Sequence, residues 1–474
     1  MLTRFKVRGF KNLLDLDVRF GPFTCILGPN GIGKSNLFDA IHFISLLADR
    51  PLVDAAAAIR DSGRKTRDLT TLFYHGANYV APRIEFEMEL LVPRGAVDDF
   101  GQTAKPTNTL LRYTLHIGRR NGSTGGSADQ LALLKEELTH IPVGQAPTVL
   151  QFEHSKAWRD SVVLGERRAP HFISTTPAGT VKIHQEGGSR GKPLSFQLEN
   201  LKRTVLAASN AAETPTILVL RREMQSWLKL QLEPTSLRRP DEFADPPYLT
   251  ASGMHVPAAL YRLTKQDADP QGRTSASIAN RLSELVGSVR EVRADRDDAR
   301  ELITACMTFG DGTRHSASSL SDGTLRFLAL AILEQDAEFR GLLCLEEPEN
   351  GIHPERIPAM IRLLTDLAMD VTSPEGSDNP LRQVIVNTHS SVAAAEVPED
   401  SLLSAEASVI ETDAGSLPTM TLTALTGTWR TRSGERTIKK GALLRYLKPV
   451  ARISQHRNRV ADRADVQQEL DFGA

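Results

Sequence analysis

A glycine-rich stretch near the N-terminus carries the residue types that bind phosphate. Gly28-Pro29-Asn30-Gly31-Ile32-Gly33-Lys34-Ser35 has the spacing G-x-x-x-x-G-K-[ST] and follows the apolar run 23–27. Glycines let backbone N–H groups turn toward an anion, and the start of the next helix adds partial positive charge. The Lys34 ammonium can reach the β- and γ-phosphates of a nucleotide, and the Ser35 hydroxyl can bind Mg²⁺. The predicted nucleotide contacts are Asn30, Gly31, Gly33, Lys34, Ser35 and Asn36.

Two carboxylates and a histidine follow two later apolar runs. Glu346 and Glu347 end the run 342–345, and His389 lies just beyond the run 383–386. Parallel strands bring their carboxyl ends to one edge of a sheet, which in such a fold lies beside the phosphate loop. One carboxylate can hold the Mg²⁺ shell while the other polarises an attacking water. His389 can contact a γ-phosphate, and the alternatives are an acidic turn and a structural histidine.

Two further positions have less specific patterns. Leu320-Ser321-Asp322-Gly323-Thr324 precedes a strong helical pattern, so Ser321 and Gly323 predict either an ordinary helix cap or an anion site. The alternating runs 2–7 and 14–20 predict a hairpin that feeds the strand before the phosphate loop. Lys11 and Asn12 in its turn can reach the nucleotide, although a solvated turn fits the spacing equally well.

Composition describes a balanced chain with a sizeable core. The 474 residues have a net charge of -1 and 40% hydrophobic content, so contacts with nucleic acid or membrane require local patches. Only three cysteines occur, and Cys25 and Cys344 lie in apolar runs, which favours buried free thiols and a reducing cytoplasm. The N-terminus alternates instead of forming a signal peptide, and no apolar run approaches the roughly 20 residues of a transmembrane helix.

The segments between the motifs predict a mixture of strands and helices. Strands are predicted at 84–92, 110–117, 161–164 and 181–184, and helices at 36–60, 194–205, 217–232, 258–265, 275–289 and 325–334. The proline-rich stretch 233–257 predicts an irregular connector. Residues 289–308 fit either a strand or a helix. No long heptad array occurs, so no coiled-coil arm is expected.

The order of these motifs resembles a known family. The stretches FKVRGFKNL, GPNGIGKSNLFDAI, LSDGT, LLCLEEPENGIHP and VNTHS are similar to the ABC-type ATPase heads of the RecF, SMC and overcoming-lysogenization-defect (OLD) group, and to stand-alone RecF-like ATPases of bacterial defence and DNA maintenance. The motifs cover about 1–45 and 315–395. The resemblance implies an α/β P-loop NTPase fold: an ABC-ATPase-like head with an antiparallel β subdomain and a mostly helical insertion.

The resemblance also implies a mechanism shared between two chains. ATP and Mg²⁺ would lie between the phosphate loop of one subunit and the 320–324 segment of another, whose Ser321 and Gly323 would bind the γ-phosphate. Glu346 matches the Mg²⁺-associated acid, Glu347 the water-polarising acid and His389 the switch histidine, so Glu347, His389 and Lys34 are the expected catalytic residues. Asn350 would lie in the loop that crosses the interface.

Two departures from the family pattern concern this site. Glu346-Glu347 replaces the usual Asp-Glu, so that Mg²⁺ contact through a water is expected, and Asp322-Gly323 replaces the usual Gly-Gly of the signature. The glutamine of the family's glutamine-type loop has no assignable counterpart in the sequence.

Four segments make up the predicted domain organisation. They are an N-terminal ATPase lobe with phosphate loop and β subdomain (1–190), a mostly helical insertion (191–315), a C-terminal ATPase lobe with signature, acidic strand and switch histidine (316–428), and a basic tail (429–474). The chain after His389 is expected to be too short for the nuclease domain of OLD proteins. Residues 430–463 are rich in arginine and lysine, which predicts either nucleic-acid contact or a solvated, partner-docking segment.

The sequence leaves two main functions open. The first is an ATP-driven switch that dimerises and controls a separate effector, such as a nuclease or toxin, in anti-phage defence. The second is a RecF-like DNA-binding ATPase in repair or replication. A transporter ATPase subunit is a third, weaker interpretation, because the long insert and the FKNL hairpin argue against it.

Overall fold

A computed structural model of the chain describes residues 1–59, 69–120, 130–165, 171–186, 192–265, 269–433 and 437–438. Its strands are β1 Leu2–Phe10, β2 Leu13–Arg19, β3 Phe23–Leu27, β4 Arg83–Leu91, β5 Ala96–Val97, β6 Thr103–Ala104, β7 Leu110–Arg120, β8 Gln130–His140, β9 Ile173–Thr175, β10 Thr180–Ile183, β11 Leu194–Gln197, β12 Leu228–Leu230, β13 Asp241–Glu242, β14 Val289–Asp297, β15 Leu302–Phe309, β16 Arg314–Ser316, β17 Gly341–Glu346, β18 Arg382–Thr388, β19 Leu402–Thr412, β20 Gly415–Leu425 and β21 Thr437–Ile438. Its α-helices are α1 Lys34–Leu47, α2 Leu52–Ala58, α3 Ala146–Val149, α4 Lys156–Val162, α5 Pro215–Gln225, α6 Pro234–Leu237, α7 Val256–Thr264, α8 Arg273–Val286, α9 Asp322–Gln335, α10 Ile357–Leu367 and α11 Ser391–Ala395.

A seven-stranded sheet forms the centre of the molecule, in the order β12-β17-β18-β3-β19-β20-β21. Its first five strands are parallel, which brings the carboxyl ends of β17, β18 and β3 to one edge. Strand β3 and the middle residues of β17 and β18 are buried and largely apolar, because both faces of the sheet are covered there. Alternate residues of β3 show this, since Ile26 packs into the cluster with α1 and α5, whereas Cys25 and Leu27 pack into the cluster with α9 and α10.

An eight-stranded antiparallel sheet forms the second layer, in the order β11-β10-β9-β8-β7-β4-β1-β2. Its strands alternate between buried apolar and outward polar residues, the pattern of a sheet with one covered face. Phe10 and Phe86 on this sheet pack against Phe43 of α1. Helix α1, which follows the phosphate loop, is therefore held between the two sheets.

The predicted α/β fold class is confirmed, with the N-terminal hairpin β1–β2 and the antiparallel subdomain, except for the mostly helical insertion. Three local predictions in the first 205 residues are wrong. The helix predicted over 36–60 is two helices, because the chain turns before Pro51, whose missing N–H and fixed φ suit a helix start but not a helix interior. Residues 161–164 overlap the end of α4 instead of forming a strand, and the stretch 194–205 begins with β11 instead of a helix.

The insertion 191–315 is not mostly helical. Strands β11 to β15 lie within it, and residues 289–309 form a hairpin, the strand alternative for that stretch. The helix predicted over 217–232 ends at Gln225, and the chain continues as β12 at the edge of the central sheet. Residues 228–230 form a strand instead of continuing the helix because β17, a strand far along the chain, supplies hydrogen-bond partners for their backbone. The domain boundaries themselves remain a prediction.

Two sequence expectations concern the interior and the membrane. Cys25, Cys306 and Cys344 are buried free thiols, as expected for Cys25 and Cys344. Within the part of the chain that the structure describes, no helix combines the length and the hydropathy needed to cross a bilayer.

Candidate nucleotide-binding site

The phosphate loop joins β3 to α1, as the sequence predicts. Gly31 and Gly33 adopt positive φ angles of 80° and 113°, which glycine tolerates and residues with a Cβ avoid. A Cβ on Gly33 would also collide with the Asn12 amide. No side chain caps the start of α1, so its first N–H groups face the loop without a side-chain partner. This is the arrangement of a helix N-terminus that binds an anion.

Lys34 folds back over the loop. Its ammonium donates to the carbonyls of Gly28 at 2.6 Å and Pro29 at 2.9 Å. Burial lowers the pKa of Lys34 below the usual lysine value, and the attraction of Glu347, Glu346 and Glu349 offsets only part of that shift. The ammonium therefore stands in the loop with two neutral carbonyl partners, which a phosphate can replace.

The two residues predicted to serve Mg²⁺ are brought together. Ser35 is in the first turn of α1, which follows β3 and the phosphate loop. Glu346 ends β17, which is separated from β3 in the sheet by β18. The Ser35 hydroxyl donates to Glu346 Oε2 at 2.5 Å. Hydroxyl and carboxylate oxygens are ligands that Mg²⁺ prefers, so this pair fits the metal that the motif implies.

Glu347 is held by the two neighbours that the sequence singled out. His389 Nδ1 lies 2.8 Å from Glu347 Oε1, and the Asn350 amide donates to Glu347 Oε2 at 2.7 Å. Glu347 has a positive φ of 47°, an unfavourable conformation for a residue with a Cβ. Its backbone N–H donates to Asn387 O at 2.9 Å, which anchors this turn to the tip of β18. The strained turn directs the carboxylate out of the line of β17 and toward His389.

Glu349 is a third acid that the sequence analysis did not select. It is buried, and the Thr388 hydroxyl donates to its Oε1. Its Oε2 and the Asn387 amide nitrogen are buried without a hydrogen-bond partner among the described residues. The sequence could have drawn attention to Glu349 because it follows the acidic pair and a proline. Its burial, however, depends on packing against β18, which the sequence pattern does not show. These unsatisfied polar atoms beside the loop fit a site that binds a polar ligand.

Lys11 and Asn12 approach the phosphate loop from the β1–β2 turn. The Asn12 amide donates to Ile32 O at 2.8 Å and accepts from the Asn36 amide at 2.7 Å. The Lys11 ammonium pairs with Asp39 of α1 at 2.5 Å. The solvated-turn alternative is therefore wrong for both side chains, since each is engaged with the loop or its helix.

A cavity of about 690 Å³ lies beside the loop, within the size range of small-ligand sites. Lys11, Asn12, Gly31, Tyr74, His75 and Thr419 are among the residues that line it. The cavity continues from the phosphate loop on the side of the β1–β2 turn. Its size and position suit the nucleoside part of a nucleotide whose phosphates lie in the loop.

The Ser321 segment lies apart from this chain's own loop. Ser321 caps α9, because its hydroxyl accepts the Thr324 N–H at 3.2 Å. A Cβ on Gly323 would meet Gly351 O at 2.6 Å, so the start of α9 packs against the loop after Glu347. Among the described residues, no hydrogen bond or ion pair joins 320–324 to 28–36. The structure thus does not combine the two anion sites within one chain.

The end of strand β12 brings to the site a residue that the sequence analysis did not identify. Leu230 pairs with Leu345 of β17, so Gln231 follows beside Glu346. Gln231, Glu346, Glu347 and Asn350 are among the residues around a second cavity of about 490 Å³. Gln231 is thus a candidate for the unassigned glutamine-type loop residue. The sequence analysis missed β12 because a strand of three residues is too short to show an alternating hydrophobic pattern, and it follows directly after a helix.

The predicted basic tail can be compared with the structure only at its start. The Arg430 guanidinium is fully buried, stacks on Trp429 with 4.3 Å to the ring centroid, and donates to Arg19 O and Thr24 Oγ1. Arg430 is therefore a structural residue, which corrects its assignment to a surface that tracks nucleic acid. The side chains of the other basic residues, from Arg432 to Arg463, lie outside the described part of the chain.

Two family models and several known proteins match parts of the chain. A family model described as "AAA domain, putative AbiEii toxin, Type IV TA system" matches residues 253–395, and one described as "AAA domain" matches residues 4–81. The chain is 46% identical over 46 residues to the DNA replication and repair protein RecF of Parabacteroides distasonis, which covers 10% of this chain and 13% of that protein. It is 46% identical over 44 residues to the OLD nuclease of Thermus scotoductus, which covers 9% and 8%.

A solved structure of an SMC head bound to the C-terminal winged-helix domain of ScpA aligns over 90% of this chain and 98% of that one, with 14% identity and a TM-score of 0.44. The matches to RecF and the OLD nuclease span only a small fraction of those proteins' lengths. The shorter family match contains the turn of the N-terminal hairpin and the phosphate loop, and the longer family match contains Ser321, Glu346, Glu347 and His389. In the matched segments the chain resembles the ABC-type ATPases of the RecF and OLD group.

Proposed function

We propose that this chain binds ATP with Mg²⁺ and hydrolyses it. The observation that carries the proposal is the convergence at one sheet edge of the phosphate loop, the Ser35–Glu346 pair and the Glu347–His389 pair. Bound Mg²⁺ would neutralise phosphate charge, and Ser35 and Glu346 would hold it. The Lys34 ammonium and the uncapped N–H groups of α1 would bind the β- and γ-phosphates.

Glu347 is the group suited to accept a proton from the attacking water. Its two carboxylate oxygens are fixed by different partners, His389 and Asn350, so its orientation is set before substrate arrives. His389 is 42% exposed at its side chain and stands at the end of β18, where it can also face the γ-phosphate. A general base held in position contributes typically 10²- to 10⁴-fold to a rate.

We further propose that the complete site forms between two copies of the chain arranged head to tail. The start of α9 lacks hydrogen bonds to its own phosphate loop in the described residues, yet its Ser321 and Gly323 match the γ-phosphate-binding segment of the family that the sequence resembles. Asn350 connects Glu347 with α9, since its amide donates to Glu347 and its carbonyl accepts from Arg326 of α9. A second chain would bring its Ser321 and Gly323 to the γ-phosphate, so ATP would control assembly.

The biological role proposed first is a switch in which ATP-dependent assembly controls a separate effector, such as a nuclease or toxin, in anti-phage defence. The description of the longer family match, with its toxin and toxin–antitoxin terms, supports this reading. The second candidate is a DNA-binding ATPase in repair or replication, which the match to RecF favours. The ATP site is the same in the effector switch and in the DNA-binding ATPase, so the two roles differ only in what the assembled dimer contacts.

The test compares the wild-type chain with Glu347→Gln and a matched control, Glu355→Gln. Glu355 is an acid eight positions later whose side chain is 82% exposed. ATP hydrolysis and the mass of the assembly are measured with and without ATP, and with and without duplex DNA. Glu347→Gln is expected to lower hydrolysis by about 10²-fold or more and to accumulate a larger, ATP-bound species, because binding groups remain while the base is lost. Glu355→Gln should behave as wild type.

The DNA arm separates the two roles. An ATP-dependent Glu347→Gln assembly that ignores duplex DNA supports the effector switch, and one that retains DNA supports the repair or replication ATPase. Unchanged hydrolysis in Glu347→Gln would reject its assignment as the base. A wild-type chain that neither binds nor hydrolyses ATP would reject the function altogether.

A further inference from the structure

Lys229 of β12 lies between two acids at the metal end of the site. Its ammonium is 2.7 Å from Asp39 Oδ1 and 3.0 Å from Glu346 Oε1. Asp39 belongs to α1 and also pairs with Lys11, while Glu346 also accepts from Ser35. A continuous polar chain thus runs from the β1–β2 turn through α1 and β12 to the end of β17.

The Lys229 side chain is well enclosed. It is 12% exposed, and its two acidic partners are 17% and 24% exposed. Burial disfavours the charged ammonium, but the attraction and hydrogen bonds of Asp39 and Glu346 outweigh it, so that the pKa of Lys229 is raised. An ammonium with a carboxylate partner on each side is positively charged at neutral pH, and here it lies in surroundings where charges are screened less than in water.

The position of this charge is that of a counter-ion to the predicted metal ligand. Without Lys229, Asp39 and Glu346 would face each other across a space that an ammonium now fills, with the Ser35 hydroxyl adjacent. Two carboxylates and a hydroxyl are a donor set for Mg²⁺ or Mn²⁺. With Lys229 present, one oxygen of Glu346 is occupied and much of its charge is already neutralised.

We propose that Lys229 is a positioning residue that acts as a built-in cation, keeping the Glu346 end of the site from binding a divalent metal until nucleotide phosphates arrive. In the nucleotide-free chain the ammonium holds Glu346 beside Ser35. When ATP brings several negative oxygens, the total charge of the site allows Lys229 and the metal to be present together. The inference rests on the proposed ATP site, and it assigns the order in which the site's components bind.

The experiment measures Mn²⁺ binding to the full-length chain by electron paramagnetic resonance of free Mn²⁺. Wild type, Lys229→Met and Lys229→Arg are titrated without nucleotide and then with ATP, after subtraction of Mn²⁺ bound by ATP alone. Lys202→Met, at an exposed lysine, is the matched control. Circular dichroism and the melting temperature establish that each variant is folded. Binding of a fluorescent ATP analogue in EDTA is measured in parallel.

The wild-type chain is expected to bind Mn²⁺ about tenfold or more weakly without ATP than with it, because Lys229 competes for Glu346. Lys229→Met should bind Mn²⁺ about tenfold more tightly without nucleotide, since Asp39 and Glu346 would then lack the ammonium that neutralises them and would attract the metal ion. Lys229→Arg should stay close to wild type, and adding Glu346→Gln to Lys229→Met should abolish the gain.

Two results would overturn the inference. One is a wild-type chain that binds Mn²⁺ equally well without and with ATP, a measurement that needs no variant. The other is a folded Lys229→Met chain with no gain in nucleotide-free Mn²⁺ affinity. The parallel ATP titration keeps the proposals separate, because failure to bind the analogue rejects the ATP function whereas the nucleotide-free Mn²⁺ comparison still tests Lys229.

Discussion

Two helix starts in this protein have opposite designs. Helix α1 begins after Gly33 in a left-handed conformation and has no side-chain cap. Helix α9 begins after Ser321 in an extended conformation, and the Ser321 hydroxyl caps the Thr324 N–H. Both are 14-residue helices that flank the same central sheet. The difference lies in whether the N–H groups at the start are already served by the chain itself.

The comparison shows which end is ready for a phosphate. An uncapped start offers its N–H groups and partial positive charge to an anion at no cost in broken hydrogen bonds. At α9, Asp322 sits in the first turn and is paired with Arg238 at 2.5 Å, so negative charge already occupies that end. The α1 end therefore suits tight binding within one chain, whereas the α9 end suits a weaker contact made when a second chain closes.

The largest expected effect comes from the α1 side. Lys34→Met should weaken ATP binding by about a hundredfold or more, because it removes the charged partner of the β- and γ-phosphates. Titration with a fluorescent ATP analogue measures the affinity, and Lys202→Met is the matched control. An affinity within about threefold of wild type would mean that the loop does not hold the phosphates.

A mixing experiment tests the α9 side and sharpens the comparison. Lys34→Met and Ser321→Ala should each be nearly inactive in hydrolysis when pure, because every site contains one defective half. In an equal mixture about a quarter of the wild-type rate should return, since half of the dimers are mixed and each has one intact site. Hydrolysis is followed by phosphate release after co-incubation.

The mixture has a clear negative result. If activity stays at the level of the pure variants while mixed dimers form, the two helix starts do not share a site. Restored activity in a mixture of two Lys34→Met preparations carrying different tags would reveal contamination, so that sample is the control.

The smallest effect concerns the cap itself. Ser321→Ala should cost about 1 kcal/mol in the free energy of unfolding, because the hydroxyl that satisfies the Thr324 N–H is lost. Ser319→Ala, at an exposed serine two positions earlier, should change it by less than about 0.5 kcal/mol. Urea unfolding followed by circular dichroism compares them. Equal values for both variants would show that capping by Ser321 is not what holds the start of α9.

Sequence patterns predicted the parts of the site that are local in the chain. The phosphate loop, the acidic end of β17 and the cap at Ser321 each depend on a few consecutive residues, and the structure places them as expected. That the acids at the end of β17 lie beside the phosphate loop was expected from one further rule, that parallel strands end at a common edge. The pairs Ser35–Glu346 and Glu347–His389 themselves came only from the structure. The roles of these residues in ATP hydrolysis remain predictions.

Other features depended on packing between distant segments. Strand β12 is three residues long, and only its pairing with β17 brings Lys229 and Gln231 to the site. Glu349 and Arg430 look like surface charges in the sequence, yet both are buried. Glu349 contacts Thr388 of β18, and the Arg430 guanidinium donates to Arg19 O and to Thr24 of β3.

By itself, the sequence determined the chemistry available to this protein: a phosphate loop, an acidic strand end, a histidine at a strand tip and a capped second helix. Tertiary structure decided which charges meet, since strand order and burial depend on contacts hundreds of residues apart. Lys229 and Glu346 illustrate this, because they are separated by more than a hundred positions but lie 3.0 Å apart. Local patterns report hydrogen bonding and conformation, whereas the field at a site sums charges from every element packed around it.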